Sequence, residues 1–154
     1  MGTEAAASEA TEDVSAIERI TPESWGVFVT AVVLGLVIGG FAAWATANLG
    51  VSGWAFLIGF VGGAWYLNKK RLPSEAAGSG LYITALLMIL TPILFYVPNI
   101  VGMEEVQTAE EAGMAIGSVL GLVIWGFVFF LLAIVTGGIG YAFKRRAGKK
   151  LDAE

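Results

Sequence analysis

The sequence contains no cysteine and no histidine. The first absence removes disulfides, thiolate nucleophiles and the sulfur ligands of zinc and iron-sulfur sites. The second removes the commonest proton-transfer side chain near neutral pH and the axial ligand of many haem proteins. Charge is scarce as well: 14% of the 154 residues are Asp, Glu, Lys or Arg, against about 25% in an ordinary soluble domain. With a formal net charge of −4 and nine cations in total, the chain lacks the basic surplus that nucleic-acid binding requires, and no nucleic-acid partner is expected.

What fills the space is apolar. Hydrophobic residues make up 56% of the chain, and they gather into four runs free of Asp, Glu, Lys and Arg: residues 25–47, 49–67, 81–101 and 113–143, of 23, 19, 21 and 31 residues. A hydrocarbon core of about 30 Å is crossed by roughly 20 apolar residues in a helix, so each run is long enough to span. Reading the runs as buried helices of a soluble protein fails, because the 60 residues left over cannot coat four such helices with a polar shell. The expected fold is all-α, an integral membrane bundle of four transmembrane helices over residues 21–143, flanked by an acidic tail (1–20) and a basic tail (144–154).

Charge asymmetry orients this bundle. Four spans put both termini and the 68–79 loop on one side. That side collects Arg19, Lys69, Lys70, Arg71, Lys144, Arg145, Arg146, Lys149 and Lys150, all nine cations. The other side has Glu104, Glu105, Glu110 and Glu111 and no cation. Cationic loops resist translocation, so both termini are expected in the cytoplasm and the protein in the plasma membrane of a prokaryote. Trp and Tyr favour the headgroup level. Trp25, Trp65, Tyr66, Tyr82 and Tyr141 fall at the cationic face, with Trp44, Trp54 and Tyr96 at the other; Trp125, mid-span, is the exception. A signal-peptide reading of Ala43-Trp44-Ala45 is disfavoured by the acidic stretch before it and by the length of the apolar run.

Local signals mark where helices start and stop. Ser15-Ala16-Ile17-Glu18 and Thr108-Ala109-Glu110-Glu111 fit the capping-box pattern, and Thr21-Pro22 suits a helix start. Asn48-Leu49-Gly50 predicts a tight return. Leu72-Pro73-Ser74-Glu75 is expected to end one helix and Gly78-Ser79-Gly80 to begin the next, with Ser79 as its cap. Pro92 removes a backbone donor and predicts a kink in the third span. The fourth run, about 46 Å long as a helix, exceeds the bilayer core, and Thr136-Gly137-Gly138-Ile139-Gly140 is the expected bend.

The strongest interaction signal is small-residue spacing. Gly35 and Gly39, Gly59 and Gly63, and Gly113, Gly117 and Gly121 recur every fourth residue, which lets helix backbones approach closely in lipid. The sequence leaves open whether these faces pack within one chain or between chains; the Gly113 series is the best candidate for self-association. Lys69, Lys70, Arg71, Lys144, Arg145, Arg146, Lys149 and Lys150 read as topology anchors that also suit anionic lipid headgroups.

No ionisable residue lies inside a run, which argues against proton-coupled pumps and carboxylate-dependent antiporters. No catalytic residue, metal site or cofactor is expected. The acidic soluble segments and the Ala/Gly/Val-rich spans resemble membrane proteins of salt-loving archaea in composition, a likeness that implies no activity. The expected function is non-enzymatic: an accessory subunit or homo-oligomeric packing component of a membrane assembly, with the bilayer and a second copy or larger complex as partners. The alternatives are a holin-like oligomeric pore or channel lined by Thr30, Thr46, Thr84, Thr91, Ser118 and Thr136, and a small-solute transporter half.

Overall fold

The computed structural model describes residues 22–102 and 107–153. The acidic tail, its Ser15–Glu18 capping box, Thr21, Glu104 and Glu105 lie outside the described residues. Four α-helices account for nearly all the rest: α1 (Pro22–Ala45), α2 (Ser52–Asn68), α3 (Pro73–Val101) and α4 (Ala109–Asp152). A short 3-10 turn, Ala47–Leu49, joins α1 to α2 and closes on Gly50 in the left-handed region (φ 71°), a conformation that side-chain-bearing residues rarely adopt.

Three of the helices, α1, α3 and α4, are long and apolar enough to cross a membrane. The fourth, α2, has 17 residues and rises about 25 Å, just under the roughly 30 Å hydrocarbon thickness. Large apolar side chains face outward on every helix, among them Trp54, Ile58, Val123 and Phe127. The interior is small by comparison: Val27, Ala31, Ile38, Leu67 and Ala76 form the buried cluster, with Leu34, Ile83 and Leu87 packed against it. An apolar exterior around a thin core is the packing expected of helices in lipid.

The helices form a row. α2 packs on α1, α1 on α3 and α3 on α4, with a glancing contact between α2 and α3. Because the chain alternates direction, the start of α1, the α2–α3 link and the end of α4 gather at one end, which holds every cation among the described residues. At the opposite end, Asn48 Nδ2 donates to the Phe95 carbonyl at 2.8 Å and ties the α1–α2 turn to α3.

One boundary differs from that expected. α3 begins at Pro73, which occupies the first turn after an extended Leu72, and Gly78-Ser79-Gly80 lie inside it, buried. Glycine in a helix interior costs about 1 kcal/mol relative to alanine, and the close packing of these residues against α1 and α4 offsets that cost. Ser79 is therefore not a cap. α4 is continuous through Thr136–Gly140, and its last turns carry on past the apolar run. Its start carries a complete capping box: Glu111 N–H donates to Thr108 Oγ1 at 3.2 Å, and Glu111 Oε2 accepts from the amides of Thr108 (3.2 Å) and Gln107 (2.8 Å). Pro92 and Pro98 sit inside α3, which remains one continuous helix.

Candidate functional site

Backbone contact between α1 and α2 is set by four glycines. A β-carbon on Gly39 would stand 2.9 Å from the Phe56 carbonyl oxygen, and one on Gly35 would stand 3.0 Å from that of Phe60. From the other helix, a β-carbon on Gly59 would lie 3.0 Å from Gly39 Cα, and one on Gly63 3.1 Å from Ile38 Cδ1. The two pairs thus nest against each other within the chain.

A second crossing, between α3 and α4, was not legible as such in the sequence. Gly78 faces Gly140: a β-carbon on Gly78 would be 2.9 Å from the Gly140 carbonyl oxygen, and one on Gly140 would be 3.1 Å from that of Gly78. Nearby, Gly80 is closed over by Leu34 and Leu67, and Gly26 meets the Pro73 ring. The signal that would have found this crossing is the seven-residue repeat of small residues Ala133, Gly140 and Ala147, which are buried on α4 together with Phe129.

The Gly113 series behaves differently. Helical geometry places Gly113 about 180° and Gly117 about 140° around α4 from Gly140, and among the described residues nothing packs within 4 Å of a β-carbon at either position. Gly121 instead accommodates the Tyr96 ring, 2.7 Å from its β-carbon position.

Near the acidic end, α1, α3 and α4 enclose a pocket of about 190 Å³ lined by Trp44, Thr91, Pro92, Phe95, Tyr96, Trp125 and Phe129. Phe129 is its buried floor, edge-on to Trp44 (5.4 Å between centroids) and to Phe41 (6.2 Å), and 6.1 Å from Trp125. Phe95 and Tyr96 stand edge to face at 5.1 Å. Trp44 and Trp125 are about half exposed and form the rim, so the mid-span tryptophan lines a cavity. Thr91 Oγ1 donates to its own helix at the Leu87 carbonyl, 2.6 Å away.

No protein family, curated protein or solved structure matches this chain.

The cationic end pairs charge with aromatic faces. Lys69 Nζ lies 3.4 Å from the Trp65 ring centroid, Lys70 Nζ 4.7 Å from that of Tyr66, and Lys144 Nζ 5.8 Å from that of Tyr82. Such pairs contribute about 0.5–1 kcal/mol where exposed. Lys70 also meets Glu75 at 3.8 Å, and the same carboxylate accepts from the Arg71 amide at 3.3 Å. Arg145, Arg146 and Lys149 flank Tyr141 along one side of α4 in a shallow cleft. At depth, Thr46 and Thr84 donate to the carbonyls of Ala42 and Gly80, both at 2.8 Å, and Thr136 to Met88 Sδ at 3.6 Å. At the opposite end, the Glu111 carboxylate is occupied by its capping box.

Proposed function

We propose that this chain is a non-enzymatic four-span membrane protein that acts by packing, as an accessory subunit of a membrane assembly or as a small homo-oligomer, with both termini cytoplasmic. The observation that carries this reading is the outer face of α4. In a helix of 44 residues, the buried ones are Phe129, Ala133, Gly140 and Ala147; Gly113 and Gly117 open outward, with no described residue packed within 4 Å of a β-carbon there. Small residues on a lipid-facing surface leave room for a second helix backbone, and van der Waals packing drives such association. The pore alternative draws less support, because the hydroxyls of Thr46, Thr84 and Thr91 are bonded to their own helix carbonyls.

The absence of native cysteine allows a direct test. A Gly117→Cys protein carrying a photoreactive maleimide should form an adduct in native membranes, with itself or with a stoichiometric partner. An Ile58→Cys protein on exposed α2 should not, and adding Gly113→Leu should remove the adduct. Equal labelling at both positions, or a monomer throughout, overturns the reading.

Topology has its own measurement. The cation asymmetry predicts that cysteine at Val51, an exposed residue at the acidic end, reacts with an impermeant maleimide added to intact cells. Cysteine at Gly148, within the basic tail, should react only after lysis. The reverse pattern would exclude cytoplasmic termini, and reaction of both in intact cells would exclude an even number of spans.

A further inference from the structure

We propose that the aromatic pocket between α1, α3 and α4 is a binding site for a small uncharged ring compound that enters through the bilayer, an inference that rests on the membrane placement proposed above. Five rings from three helices converge on one space, and each is held by something specific. Phe129 is wedged between Trp44, Phe41 and Trp125. Tyr96 sits over Gly121, and the Phe95 backbone is tied down by Asn48. The arrangement is thus preformed, which limits the ordering cost of taking a ligand.

Size, shape and charge select the class. A cavity of about 150 Å³ lined by apolar side chains accepts a benzene molecule, and this one measures about 190 Å³. Aromatic neighbours favour a further ring in edge-to-face or offset contact at centroid distances of about 4.5–7 Å, the spacing that already separates the lining rings. An organic cation would also be drawn to ring faces. Among the described residues, however, no carboxylate lines the pocket, and Glu111 at the start of α4 is about 21 Å along the helix from Trp125, so these residues offer a buried cation no counter-ion. Thr91 directs its hydroxyl into its own helix, leaving the Tyr96 hydroxyl and the indole N–H groups as the polar atoms the lining rings bring. Trp44 and Trp125, half exposed on the lipid-facing surface, mark the entrance.

The test uses the full chain in phosphatidylcholine vesicles, with Trp25, Trp54 and Trp65 replaced by Phe so that emission comes from Trp44 and Trp125. Bromobenzene, a single ring carrying a heavy-atom quencher, is the probe. Binding predicts a saturable quenching phase on top of the linear one from partitioning into lipid. Thr91→Leu, which fills the pocket and leaves both tryptophans in place, should weaken the saturable phase by about tenfold or more, while Ile58→Ala on α2 should leave it unchanged. Phe129→Ala, which removes the floor, should also shift it, with circular dichroism reporting retained helix in each variant. Purely linear quenching of the parent overturns the proposal, as does a saturable phase indifferent to both pocket variants. Displacement by tetramethylammonium with no displacement by benzene would overturn the uncharged class. A monomer binds as well as an oligomer here, so this result and the cross-linking result fail independently.

Discussion

Replacing Gly78 by leucine should separate α3 from α4 and give the largest loss of stability of any substitution considered for this chain. The first atom of any side chain there falls 2.9 Å from the Gly140 carbonyl oxygen and 3.0 Å from the Lys144 amide nitrogen. Both are backbone atoms, so no rotamer change relieves the clash; the helices themselves must move apart. Overpacking of this kind costs about 1–3 kcal/mol, sometimes more, while removing glycine from a helix interior returns about 1 kcal/mol. For alanine the two effects come close to balancing, whereas for leucine the loss dominates. Reversible unfolding in mixed micelles should show Gly78→Leu less stable by about 2 kcal/mol or more. Gly138→Ala, two residues from Gly140 but with nothing within 4 Å, should be neutral or stabilised by up to about 1 kcal/mol. Equal effects of the two substitutions would mean that the α3–α4 crossing is not glycine-dependent.

The second large effect is expected at Gly39. Its neighbour Gly40 is the internal control: a β-carbon at Gly39 meets the backbone of Phe56 and Phe60, whereas one at Gly40 meets nothing. Gly39→Leu should open the α1–α2 hairpin and destabilise it by about 1–3 kcal/mol, while Gly40→Ala should add up to about 1 kcal/mol. Fluorescence transfer between labels at Val33 and Val61, exposed residues on α1 and α2, would report the opening directly. Unchanged transfer in Gly39→Leu would exclude backbone contact at that point.

These two crossings show what a sequence can reveal about packing in lipid and what it hides. Gly35, Gly39, Gly59 and Gly63 stand out because each pair repeats every fourth residue inside an uninterrupted apolar run. Gly78 and Gly140 do not stand out. One lies beside Pro73 and Ser79, where glycine reads as a breaker, and the other ends the cluster Thr136–Gly140 that reads as a bend. Intrinsic propensity pointed to a helix start at the first and a bend at the second; the helices are continuous through both, with the two glycines in close contact. Helix limits followed the same logic: three of the four apolar runs lie in helices of membrane-spanning length, but α3 and α4 extend beyond them because Pro73 and the Thr108 capping box start helices in polar sequence. The aromatic pocket was visible only as one misplaced residue, Trp125. Its other walls, Trp44 and Phe95-Tyr96, look like ordinary headgroup-level aromatics until the helices are brought side by side.

The unbroken length of α4 has a mechanical consequence. Its contacts with α3 run from Gly121 against Tyr96, through Thr136 against Met88, to Gly140 against Gly78, about 28 Å along the helix. A rod held over that length moves as one with α3, so a push on its arginine- and lysine-bearing tip reaches the far extremity, where Gly113 and Gly117 face outward, only if α3 moves as well.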